Sequence, residues 1–151
     1  MILTGFASFA TFARRILHMK TKNLFATGIF ALTTLAALAA DVDVSKLPPA
    51  AKQAGVTYAK DIKPIFEKTC FKCHGPEKQK GKLRLDSLEA ALKGGENAPD
   101  IIAKDSAKSP LVWSAARIGD EDDAMPPKGK GDPLTTEQVA LIRAWIDQGA
   151  K

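Results

Sequence analysis

Apolar residues recur along this chain with helical spacing, and no stretch shows strand-like alternation of useful length. Ile62, Ile65, Phe66 and Cys70 fall on one face of a helix expected over residues 58–73. Asp61 and Pro64 suit its first turns, where a missing N–H is tolerated. Gly75-Pro76 should stop it just after His74. Leu83 and Leu85 lead into Asp86, read as the N-cap of a short helix through Leu92, which Gly94-Gly95 ends. Ser109-Pro110 reads as an N-cap and first helical position, starting a helix through Arg117. Residues 119–133 form a loop that contains Met125-Pro126-Pro127. The last helix should start at Thr135, with Gln138 three residues on completing a capping box. Val139, Ile142, Trp145 and Ile146 give that helix its apolar face, and Gly149 caps it. Residues 40–56 read as a flexible linker that buries little, with Pro48-Pro49 and Gly55 breaking regular structure. The expected architecture is a small all-α domain of four or five helices over residues 57–151.

The N-terminal residues have a different pattern. A basic stretch, Lys20 to Lys22, precedes an apolar run over residues 24–40 and the small-x-small pattern Ala37-Leu38-Ala39. These are the parts of a secretory signal peptide, expected over residues 1–39 and cleaved near Ala39/Ala40. Met19 fits a compact start better than Met1. An uncleaved membrane anchor is the alternative, because a run of 17 residues lies at the short edge for a span. The expected location is the periplasm or another exported compartment.

Charge first suggests a nucleic-acid partner and then withdraws it. The 151-residue chain carries 22 Lys and Arg against 17 Asp and Glu, a net charge of +5. Four of those cations, Arg14, Arg15, Lys20 and Lys22, sit in the leader, which has no acid. Without them the balance is 18 against 17, so the remainder is nearly neutral. The sequence therefore gives no reason to expect nucleic acid as a partner.

The chemistry is concentrated in Cys70-Phe71-Lys72-Cys73-His74, a C-x-x-C-H motif of the kind that attaches haem c. Two thiols three residues apart on a helix end can add across the two vinyl groups of a porphyrin. The adjacent imidazole then lies under the iron as proximal ligand. A structural zinc site needs four Cys or His ligands, and the expected mature chain holds two Cys and one His. A thioredoxin-like redox pair would sit near a βαβ pattern, which is missing here. A plain Cys70–Cys73 disulfide stays open as an alternative, but it leaves His74 without a role.

A count names the second axial ligand. His18 lies in the leader, so a second histidine from the mature chain is excluded. Met125 is the one thioether outside the leader, 51 residues after His74 and followed by two prolines that fix the backbone. A His74/Met125 pair on one haem raises the potential, as in electron-carrying cytochromes. Arg84, Trp113 and Arg117 are weaker candidates as propionate donors. Taken singly, each reads better as ordinary surface or core.

Together with these residues, the segments Asp61-Ile62-Lys63-Pro64-Ile65-Phe66, Lys80-Gly81-Lys82-Leu83-Arg84-Leu85-Asp86-Ser87, Ala91-Leu92-Lys93-Gly94-Gly95, Met125-Pro126-Pro127 and Trp145-Ile146-Asp147-Gln148-Gly149-Ala150 resemble the planctomycete-type cytochrome c domain. The resemblance spans residues 57–150. It implies a class I cytochrome c-like fold around one covalently bound haem, with Ile65 or Phe66 meeting Trp145 or Ile146. It also matches Cys70, Cys73 and His74 to the haem site and Met125 to the distal ligand. One departure is local: Ala103-Lys104-Asp105 stands where the family tends to have a Pro-Gly turn.

These readings point to a one-electron carrier that is not an enzyme, a monomer that serves redox partner proteins. The rival is a haem peroxidase, or a gas or redox sensor with a displaceable distal ligand. A peroxidase would need an open iron position and a distal acid or base, and the mature chain has no second His for that job.

Overall fold

The computed structural model describes residues 42–151. The expected signal peptide, its cleavage near Ala39/Ala40 and the start at Met19 lie outside the described residues. Within them the regular structure is helical: α1 (Lys63–Thr69), α2 (Phe71–His74), α3 (Leu88–Lys93), α4 (Pro110–Ala116) and α5 (Thr136–Asp147), joined by short 3-10 turns. The one β-type pairing among the described residues is an isolated bridge between His74 and Gln79. No helix among them is long and apolar enough to cross a membrane.

The helix expected over residues 58–73 exists in three pieces. Tyr58–Ile62 is a π turn, in which the Lys63 N–H returns to the Tyr58 carbonyl. Pro64 is the reason, because it has no N–H to give to the carbonyl four residues back. The Asp61 carboxylate steadies this start by accepting from the Thr57 N–H (2.8 Å) and from Gln53 Nε2 (3.2 Å). Cys70 separates α1 from α2 without turning the chain away: its N–H bonds to Phe66 O and its carbonyl accepts from His74 N. Gly75 then ends the helical path. A Cβ there would lie 2.4 Å from the Phe71 carbonyl oxygen, so a side chain is excluded by contact.

One expected cap is corrected and one is kept. The N-cap of α3 is Ser87, whose hydroxyl accepts from Ala90 N (3.2 Å). Asp86 instead holds Arg84 with two bonds, of 2.8 and 2.6 Å, a stronger attraction than a cap offers. Ser109 is the N-cap residue of α4 with Pro110 at its first position, as expected, although its side chain makes no capping bond. That hydroxyl is fully buried and ties the preceding turn together, accepting from Ile102 N and donating to Asp105 O. The helix ends at Ala116, with Arg117 in the left-handed region as its C-cap. For α5 the capping box of Thr135 and Gln138 is present in both directions.

The core gathers where the π turn, α1 and α5 meet. Ile62, Phe66, Ile142, Trp145 and Ile146 are fully buried, as is Val112 of α4. Side chains of this size stabilise by about 1.5–3 kcal/mol each when removed from water. Phe66 and Trp145 meet edge to face, with ring centres 6.4 Å apart and planes at 78°, and Tyr58 lies 5.8 Å from Trp145. Such pairs add roughly 0.5–1.5 kcal/mol beyond their area. The contact between the first and last helices is therefore made by Phe66 and Trp145, two of the four residues named for it.

The stretch expected to bury little does pack. Leu47 and Val56 are buried, and Ala51 N donates to Ala140 O on α5 (2.9 Å). Gln148 accepts from Val56 N (3.1 Å) and donates to Gln53 O (2.8 Å), while Arg143 donates to Pro48 O. Polar groups on α5 satisfy a backbone that has no ladder of its own. In the Ala103-Lys104-Asp105 departure, Lys104 takes φ 69°. Its N–H reaches Ile146 O (2.8 Å).

Candidate cofactor site

The motif residues occupy the end of the broken first helix. Cys70 sits at the α1–α2 junction, with Cys73 and His74 in α2, and all three are half-buried. Cys70 and His74 line a largely apolar cleft of about 890 Å³, counted with its open mouth, together with Phe66, Leu83, Leu85 and Leu111. Met125 lines the same cleft from the opposite chain segment. Cys73 faces an adjoining hollow that it shares with His74 and Met125. All four residues, with Pro126 and Pro127, also line a smaller hollow. Residues 70–74 and residue 125, far apart in sequence, thus converge on one place.

Burial pushes the Cys70 thiol up to about 12, with the neighbouring Cys73 adding to the shift. A thiol held in its neutral form is a poor nucleophile and a poor metal ligand. Both cysteines are free thiols. Among the described residues no cluster of three or more His, Cys, Asp or Glu could hold a bare metal ion. Among the described residues, this donor set does not suit the zinc reading.

Burial also pushes the His74 imidazole below its ordinary value. The carbonyls of Leu83 and Lys80 and the Asp100 carboxylate pull it back in part, and the Lys80 ammonium adds to the lowering. At neutral pH the ring is uncharged, the form that ligates iron. Its Nδ1 is buried with no hydrogen-bond partner.

Met125 is positioned by α4. Its N–H donates to Ser114 O (2.9 Å), and Arg117 Nη1 donates to the Pro126 carbonyl (2.6 Å). Ala124 and Pro126, on either side, are buried. Arg117 is therefore a clamp on the methionine loop. Arg84 is held by Asp86, and the Trp113 indole donates to Ala107 O (2.7 Å). The clamp was not legible from sequence; its one signal was an Arg at the end of a helix leading into that loop.

Residues 70–129 match the family model described as Planctomycete cytochrome C. No curated protein and no solved structure matches the chain. The matched segment opens on Cys70 and closes just after the Met125-Pro126-Pro127 loop, so both sides of the cleft fall inside it. Over residues 70–129 the chain is thus similar to a planctomycete cytochrome c domain, a family of haem-based electron carriers.

Proposed function

We propose that the protein is an exported mono-haem c-type cytochrome of class I fold that carries single electrons between partner proteins. One observation carries the reading: two sulfurs, one imidazole and one thioether converge on a single apolar cleft, and a ring nitrogen of that imidazole is buried without a partner. An unsatisfied buried nitrogen costs about 1–3 kcal/mol. Metal at one ring nitrogen and a carbonyl at the other would remove that cost.

The residues fit the group. Cys70 and Cys73 would hold the porphyrin through thioethers, consistent with a neutral Cys70 sulfur, and His74 and Met125 would ligate the iron. When bound, the haem supplies a one-electron couple. Phe66, Leu83, Leu85 and Leu111 exclude water from the cleft, and Ser114 and Arg117 fix the loop that bears the thioether. If His74 and Met125 both held the iron, no position would be left on it for a substrate, which favours a carrier over an enzyme. The Phe66–Trp145 contact supports the class I fold.

Four exposed lysines, Lys72, Lys78, Lys80 and Lys130, line the hollow beside Cys73 and Met125. The ion pairs among the described residues use none of them. Free cations around the site suit an acidic redox partner, whose approach they would speed at low salt. Monomeric action and export rest on the sequence reading alone.

The test is the absorption spectrum and mass of the mature protein made in a host with working cytochrome maturation. The expected product is red and heavier by one haem. Its oxidised form should show a weak sulfur-to-iron band that Met125→Ala removes. A colourless protein of unmodified mass would overturn the reading, and a high-spin native spectrum with ready CO binding would favour a sensor or peroxidase.

A further inference from the structure

We infer that the fixed carboxylate of Asp100 lowers the reduction potential of this site by favouring its oxidised, more positive state; the inference rests on the function proposed above. Asp100 lies in the loop after α3 and lines the same cleft as His74 and Met125. Its Oδ2 accepts a short bond from Gly95 N–H (2.6 Å). Its own carbonyl accepts from Leu111 N on α4 (2.9 Å). Gly94, at φ 74°, leaves room for the carboxylate, since a Cβ there would lie 3.0 Å from Oδ2. The charge is thus tied at both the side chain and the main chain, and no Lys or Arg among the described residues pairs with it.

The charged side chains lining the cleft are Lys80, Glu96, Asp100 and Asp123, three negative against one positive. Glu96 and Asp123 are exposed, so water and salt screen them. Asp100 is half-buried and screened less. Reduction takes one electron from the partner and lowers the positive charge of the site by one, with no bond or proton transferred. A nearby fixed negative charge therefore stabilises the oxidised state more than the reduced one, and outer groups of this kind tune such sites.

The test compares haem-loaded Asp100→Asn with the native protein by redox titration. Asn keeps an oxygen for the Gly95 N–H and removes only the charge. The midpoint should rise by about threefold to tenfold in the oxidation equilibrium, or roughly 30–60 mV at 59 mV per tenfold for one electron. Asp100→Glu should stay near the native midpoint, and exposed Glu96→Gln should move it much less than Asp100→Asn does. In the haem-free proteins, amide exchange at Gly95 should be alike in native and Asn forms, showing that the loop is intact. An unchanged midpoint in Asp100→Asn would overturn the inference, as would an equal shift in Glu96→Gln, which would make it an effect of net charge. If Asp100→Asn fails to take up haem, a displaced midpoint in Asp100→Glu would overturn it. A native protein that binds no haem would instead sink the function reading, and this inference with it.

Discussion

Tyr58 carries a phenol into a place with almost no water. The residue is 5% exposed, stacks obliquely on Trp145 and Phe66, and donates its hydroxyl proton to the Leu85 carbonyl (2.6 Å). Burial, and then the charge of Asp86, push its pKa up to about 12 from an ordinary 10. The unfolded chain releases this proton at the lower value, so the neutral phenol stabilises the fold fully below pH 10. That contribution is lost as pH rises towards 12. Tyr58→Phe should cost about 1–3 kcal/mol at pH 7, because the Leu85 carbonyl loses its partner. Thermal melts of the variant should then fall less steeply between pH 10 and 12 than those of the native protein; equal slopes would refute the assignment. At this scale the sequence was informative where identity alone decides. Cys70, Cys73, His74 and Met125 were named from residue type, order and count. Asp100 and Arg117 act through tertiary approach, which no local pattern records. Asp86 was misread as a cap because it has a stronger partner in Arg84.

The breaks in the first helix decide where the motif side chains point. Pro64 widens the turn before α1, Cys70 separates α1 from α2, and Gly75 closes α2 directly after His74. Helical spacing revealed the element and its end. It could not reveal the internal breaks, because they conserve the apolar face that the spacing reads. Gly75 has φ −114°, which any residue adopts, so its requirement is purely steric. A Cβ would be 2.4 Å from a backbone oxygen of the same turn, with no flexible atom to yield. Gly75→Ala should therefore destabilise the protein by roughly 1–3 kcal/mol and, by displacing His74, perturb the visible spectrum. Gly119→Ala is the control, since nothing lies within 4 Å of its added methyl. Equal melting temperatures for the two variants would show that the turn relaxes without cost.

Over the whole molecule, the cleft has firm walls only because α5 is anchored on its far side. Trp145 of α5 supports Phe66, and Phe66 lines the cleft. The opposite face of α5 is covered by residues 47–56, through buried Leu47 and Val56 and the bonds to Ala140, Arg143 and Gln148. Composition concealed this covering, because Pro, Ala and Gly do not form an element and their packing depends on donors 95 residues later in the chain. A passive tether and a structural strap predict different results for a chain that begins at Thr57. Re-exposing Leu47's contacts and removing Val56 gives up about 1.5–3 kcal/mol for each side chain. The unpaired groups left on α5 face water and cost little more. At about 4–8 °C per kcal/mol for a domain near this size, the truncated protein should melt at least about 10 °C below the full one. A smaller step of the same sign is expected for Arg143→Ala, which releases Pro48 and Ser106 together. If truncation leaves the melting temperature unchanged, the segment is a tether after all, and α5 holds the cleft without it.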